Sequence, residues 1–339
     1  MRFLVFLTVF SLLLPSYASY GDRSRPFQDC VKKCTSINCP PKTSYTPSLA
    51  LVLTRWTCPD DCNYTCMHGI TDRDLAKGRR MKQYYGKWPF WRYLGMQEPA
   101  STLFSLMNLA MQVRGWKLVS RRLPKGHPMR SYYLTWSAIS INTWFWSAVF
   151  HTRDKPLTEK LDYFSAALAI GYALYYTLIR FLHVYPSTRL SISPEDIRSK
   201  RLTRNAISVI FTLGFLGHIS YLGLPPRFDY TYNVIFNSIV GVLHNLLWLL
   251  YSLPRVNFKR FPSKLANYRP KFAGQAAVFV VLTTLATSLE LLDFEPWGRV
   301  VDAHSLWHAV TVPIGWVWYD FLIKDAEDEG WRGWSSAKD

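Results

Sequence analysis

Cysteine is absent after residue 66 of this 339-residue chain, and no two of the six cysteines before that point are separated by two residues. The intervals are three, four, 18, three and three residues, which excludes the usual zinc knuckle with its two-residue spacer. Acidic side chains are scarce as well: 23 Asp and Glu face 40 Lys and Arg, for a net charge of +17. A mean hydropathy of −0.02 suggests no membrane character, but the average conceals segregation. Apolar stretches of about 20 residues, the length that crosses a bilayer, alternate with short basic ones. That alternation excludes a nucleic-acid binder and indicates a chain that crosses a membrane several times.

The N-terminus supplies the compartment. Arg2 precedes the apolar run FLVFLTVFSLLL, and SYA at 16–18 offers small residues for cleavage. Twelve apolar residues are too few to span, so residues 1–18 read as a secretory signal peptide. In the oxidising lumen beyond it, Cys30, Cys34, Cys39, Cys58, Cys62 and Cys66 form a disulfide framework whose pairing the spacing leaves open. Asn63-Tyr-Thr is a glycosylation sequon.

Seven apolar segments follow, at roughly 99–116, 131–151, 162–184, 203–222, 231–253, 272–292 and 303–323. The expected fold is all-α: a seven-transmembrane-helix bundle behind a small disulfide-rich lumenal domain. Residues 19–98 form that domain with an interfacial segment, 99–323 the membrane domain and 324–339 a cytoplasmic tail. Seventeen Lys and Arg lie in the ends and loops that follow spans one, three and five, against five in the alternate loops. The bias agrees with a lumenal N-terminus and a cytoplasmic C-terminus. Residues 73–92 carry seven cations on the lumenal side, where a long translocated segment escapes the charge rule. There YYGKWPFWRY mixes aromatics and cations as an interfacial belt does, and the cytoplasmic basic loops suit anionic lipid.

Polar chemistry gathers where these segments end. Ser147 and His151 are four apart in the last turns of span two; Asp162 opens span three; His304 and His308 are four apart at the start of span seven. All five fall at the lumenal level, within about two turns, or ~10 Å, of one another in depth. Three imidazoles from two helices suit Zn2+ with one position left for water, and ionisable groups in a membrane are costly without a role. His218, near the lumenal end of its span, is a rival ligand. His244 and His183 read as helix-packing residues and His68 and His127 as loop residues. Asp154, Glu159 and Asp302 read as solvated partners for Arg153 and Lys160.

SAVFHTRDKPLTEKLDYFSA and DAHSLWHAVT resemble the signatures of the CREST superfamily of membrane hydrolases: serine, histidine four later, aspartate, then a distant HxxxH. The cysteine-rich head and GKWPFWRYLGMQEPAS resemble, more narrowly, the post-GPI-attachment-to-proteins factor 3 family. The resemblance covers about residues 21–323. It implies a seven-helix fold with zinc on His151, His304 and His308, and removal of the sn-2 acyl chain from the phosphatidylinositol of GPI-anchored proteins, in the endoplasmic reticulum or Golgi membrane. Zinc on three histidines can activate water and polarise an ester carbonyl; Asp162 is then expected as the base and Ser147 as a hydrogen-bond donor to the oxyanion. A Ser147 nucleophile is the rival mechanism. A ceramidase-like amidase and a seven-span receptor or transporter with structural zinc, closed by His218 as fourth ligand, are the alternative functions.

Overall fold

The computed structural model describes residues 20–39, 46–186, 193–225, 227–290 and 292–331. The expected signal peptide and the last residues of the tail lie outside them. Ten α-helices occur among the described residues: α1 Arg25–Asn38, α2 Leu49–Leu53, α3 Cys58–Ala76, α4 Pro99–Arg122, α5 Arg130–Thr152, α6 Pro156–Phe181, α7 Pro194–Gly223, α8 Tyr230–Ser252, α9 Gly274–Glu290 and α10 Ala303–Glu327. Apart from three isolated β-bridges at turns, the described residues hold no extended pairing, so the fold is all-α.

Helices α4 to α10 coincide with the seven expected segments. Four of them, Pro156–Phe181, Pro194–Gly223, Tyr230–Ser252 and the stretch Lys271–Leu289, are long and apolar enough to cross a membrane, as in a multi-pass membrane protein. On α7 the exposed side chains include Val209, Ile210, Leu213 and Leu216, apolar surface that lipid accepts and water does not. Helices α4, α5 and α10 are as long but carry more Ser, Asn, Gln, His and Trp. Their polar residues are largely buried, and these are the helices of the candidate site.

The chain divides into two compact units. The first takes the described residues up to Leu103 with His151–Asp154 and Thr287–Trp307. Its scaffold is the antiparallel hairpin of α1 and α3, cross-linked by Cys30–Cys66, Cys34–Cys62 and Cys39–Cys58. Cysteines four apart lie on one face of a helix, so 30 and 34 meet 66 and 62 in reverse order like rungs. Thr57 and Asp60 form a reciprocal capping box that starts α3. Phe27, Cys66, Ile70 and Tyr84 make the small core. Beyond α3 the chain crosses back through tight turns at Tyr84–Lys87 and Tyr93–Met96. Gly95 sits at φ +81° where a Cβ would meet the Ala50 carbonyl at 2.7 Å, and its own carbonyl accepts from Trp56 Nε1 at 2.8 Å. Only glycine fits there.

Four of the seven cations in the stretch 73–92 pair with carboxylates. Arg79 and Lys82 pair with Asp74, Lys87 with Glu98 and Asp154, and Arg92 with Asp61. His68 is not a loop residue, as expected from sequence, but a buried residue of α3. Its ring stacks on Trp91 at 4.0 Å, accepts from Arg299 Nη1 at Nδ1 (3.0 Å) and meets the Phe90 carbonyl at 3.1 Å through Nε2. Burial, chiefly, lowers its pKa to about 4, which keeps it neutral and the donor at Nε2.

The second unit takes Phe104–Phe150, Lys155–Ala286 and the residues from His308. Helix α6 packs against α7 and α8. Aromatic rings fill its centre, and their polar edges are paired: Trp318 Nε1 donates to Tyr176 at 3.0 Å and Trp248 Nε1 to Thr177 at 3.0 Å. Gly115 admits the Tyr319 ring, which lies 2.1 Å from where a Cβ would be. Arg180 binds Asp325 through Nε and Nη2 at 3.0 and 2.9 Å, with Tyr251 donating to the same carboxylate at 2.7 Å. The tail expected from residue 324 is therefore partly integral: α10 continues to Glu327, and Asp325 and Trp331 are buried.

Candidate functional site

Four of the five expected site residues lie on two helices, α5 and α10. Asp302 and Ser305 cap the start of α10 reciprocally, Asp302 N–H donating to Ser305 Oγ at 2.9 Å and Ser305 N–H to Asp302 Oδ1 at 2.8 Å. The cap orients the first turn, which carries His304. Asp302 is thus a cap and not the solvated loop carboxylate the sequence suggested.

Within the first unit, His151 Nε2 and His304 Nε2 face each other at 3.3 Å. The other nitrogen of His151, Nδ1, is 2.9 Å from Glu98 Oε2. Backbone bonds hold this contact: Gln97 and Glu98 N–H donate to the carbonyls of Thr152 and His151 at 2.9 and 3.0 Å. Glu98 also accepts from Lys87, and Lys87 lies 3.1 Å from Asp154. Asp154 is therefore a partner of Lys87, in place of the solvated pairing expected of it, and Glu159 accepts from Tyr230. Burial alone would lower the Lys87 ammonium and raise the Glu98 carboxyl. Their mutual attraction, with Asp154 beside one and His151 beside the other, outweighs it: Lys87 is held up at about 12 and Glu98 well below the usual carboxylate range.

Within the second unit, His308 Nδ1 lies 3.0 Å from Ser105 Oγ, and Ser105 Oγ lies 3.0 Å from Ser147 Oγ. Asn108 Nδ2 donates to the His308 carbonyl at 2.7 Å, and Trp144 meets the imidazole edge-on at 5.2 Å. Ser105, Ser147 and His308 are all nearly inaccessible to solvent. Thr143 Oγ1 donates to the Ser165 carbonyl at 2.8 Å. From this contact Ser147 stands one turn on along α5 and Asp162 one turn back along α6. Asp162 is half-buried on α6.

Together, His151, His304 and His308 each offer a nitrogen within 4.8 Å of the others, so the three can hold a metal ion. The donor set fits zinc: neutral imidazoles, one i,i+4 pair on one helix, and second nitrogens that meet Glu98 and Ser105. Asp162 and His218 are not members of that group. His218 is buried against Phe236, its ring stacked at 4.0 Å, with both nitrogens lacking a hydrogen-bond partner. It does not provide the fourth ligand that a closed structural site would need.

Residue types alone did not point to Glu98, Lys87, Ser105 or Asn108. One signal was present. Ser101, Ser105, Asn108 and Gln112 recur at helical spacing in span one, a buried polar stripe that a purely lipid-facing helix would not carry. Glu98 and Lys87, outside any span, had no periodic context.

The model of the Per1-like family matches residues 48–326. The chain belongs to that family. It is 37% identical over 320 residues to a protein PER1 homolog of Schizosaccharomyces pombe, covering 94% of this chain and 90% of the relative. A GPI-specific phospholipase A2-like protein of Danio rerio is 37% identical over 327 residues, 94% of this chain and 93% of its own. The Post-GPI attachment to proteins factor 3 of Drosophila melanogaster is 34% identical over 325 residues, 93% and 92% respectively. No solved structure matches the chain.

Proposed function

We propose that this protein is a zinc-dependent hydrolase that removes the sn-2 fatty acyl chain from the phosphatidylinositol of GPI-anchored proteins. The observation that carries the reading is the convergence of three imidazoles with a Ser105–Ser147 hydroxyl pair in a chain whose relatives are named GPI-specific phospholipase A2-like. All seven long helices cross the membrane of the endoplasmic reticulum or Golgi, with the disulfide-linked head in the lumen. The site then lies at the leaflet where a GPI anchor presents its esters.

In this reading His151, His304 and His308 hold the ion, which supplies an activated water and an electrophile for the ester carbonyl. Glu98 would accept a hydrogen bond from the Nδ1–H of His151, which fixes the ring and raises its basicity as a ligand. With His308 ligating through Nε2, its Nδ1–H donates to Ser105 and Ser105 donates to Ser147. The Ser147 hydrogen is left to point outward, as a donor for the carbonyl oxygen as negative charge develops there. The same tautomer supports a donor over a nucleophile: His308, connected to Ser147 through Ser105, has no nitrogen left to accept its proton. Asp162, half-buried on α6, would be the base for the activated water.

Mass spectrometry of GPI lipids tests the function directly. Cells lacking the protein retain the original sn-2 chain, wild type restores exchange, and His304→Ala does not. Unaltered sn-2 chains in the null cells would refute the reading.

A further inference from the structure

The first unit contains a cleft of about 140 Å³ outside the imidazole cluster, whose lining includes Trp56, Asn63, Tyr64, Trp88, Arg92 and Arg153. That is roughly ten times the space a single water occupies. Arg92 Nη1 and Asn63 Oδ1 are both shielded from solvent and have no hydrogen-bond partner. Unpaired buried polar atoms are rare, and each costs folding free energy that a ligand can return. Every cation of the lining is already balanced: Lys87 by Glu98 and Asp154, Arg92 by Asp61 at 2.5 Å, Arg153 by Asp60 at 2.7 Å. No uncompensated charge remains to attract a phosphate. What is on offer includes N–H donors and a carbonyl-type acceptor among aromatic rings. A hydroxyl, which accepts and donates at once, satisfies both, and the C–H faces of a sugar ring suit the aromatic walls. The cleft is also coupled to the cluster, because Lys87 lines it and binds Glu98, which binds His151.

We propose that this cleft is a recognition subsite for the sugar-bearing headgroup of the lipid ester, with Asn63 and Arg92 as its hydrogen-bonding residues. The ligand's identity rests on the substrate proposed above. Asn63 faces the same cleft, so the subsite requires its sequon to be unmodified, against the expectation from sequence.

The test uses the full-length protein in detergent and a dephosphorylated glycan released from a GPI-anchored protein, with tryptophan fluorescence as the readout. Saturable quenching by the glycan, absent with inorganic phosphate, supports the proposal. Asn63→Leu weakens binding at least tenfold and raises KM for GPI lipid while kcat stays within twofold. Arg92→Lys, which keeps a cation for Asp61, does the same. His304→Ala binds the glycan like wild type. Absence of glycan binding, equal binding by both cleft variants, quenching by phosphate alone, or an N-glycan mass on Asn63 would each overturn the subsite. Glycan binding without sn-2 hydrolysis by wild type would refute the proposed activity and leave the subsite standing; hydrolysis without glycan binding would do the reverse.

Discussion

Replacing Glu98 with Gln tests the least obvious element of the site. The Glu98 side chain is 7% exposed and joins His151 Nδ1, at 2.9 Å, to Lys87. Gln is nearly isosteric and keeps an oxygen to accept from Nδ1, so the ring stays oriented; what is lost is the negative charge that strengthens imidazole as a ligand. Changes to such supporting carboxylates typically cost 10–100-fold in metal affinity or activity, equivalent to about 1.4–2.7 kcal/mol. Lys87 retains Asp154 at 3.1 Å, so the fold avoids the full cost of a stranded buried charge, and the loss of stability is about 1–3 kcal/mol. Zinc affinity by chelator competition, kcat/KM on GPI lipid and thermal unfolding in detergent separate the effects. A folded Glu98→Gln protein with zinc affinity and turnover both within twofold of wild type would show that Glu98 serves folding alone.

Other outcomes follow from the same geometry. His304→Ala releases the metal and abolishes turnover, whereas His218→Ala leaves zinc content unchanged by elemental analysis; zinc lost with His218 would restore the structural-zinc alternative. Replacing Cys34 and Cys62 by Ser opens a crosslink with a sequence separation of 28. Chain entropy puts its contribution at up to ~3.5 kcal/mol, reduced where the remaining bridges restrict the same segment. Chemical denaturation measures it, and an unshifted midpoint counts against the ladder. His127 is buried between α4 and α5, and burial, chiefly, lowers its pKa to about 4. The unfolded chain takes up that proton near pH 6.5 and the folded chain only near 4, so stability falls as pH drops through that window, by at most roughly 3 kcal/mol. His127→Gln flattens the melting temperature between pH 6.5 and 4; an unchanged slope would assign the acid sensitivity to other groups.

Helix positions were readable because a bilayer imposes length and polarity on every segment that crosses it, and those constraints are local. The four apolar helices appear where hydropathy alone put them. The polar residues Ser147, His151, His304 and His308 were visible for the same reason, as costly groups at the ends of apolar runs. Cysteine spacing at i,i+4 on two helices implied a ladder once the helices were known to run antiparallel, but not before.

The partners were not readable. Glu98 sits 53 residues from His151 and Lys87 a further 11 away, and Ser105 reaches His308 across 203 residues. Nothing local to those positions marks them, because a hydrogen bond between distant side chains depends on how helices and turns pack, not on the residues flanking either end. His68 shows the same limit: its type and neighbours suggested an exposed loop, and only the Trp91 ring and the Arg299 guanidinium brought against it make it a neutral, buried joint. The sequence by itself determined which polar residues stand at the ends of apolar segments; the tertiary structure decided which of them meet, because burial and pairing are properties of the packed chain.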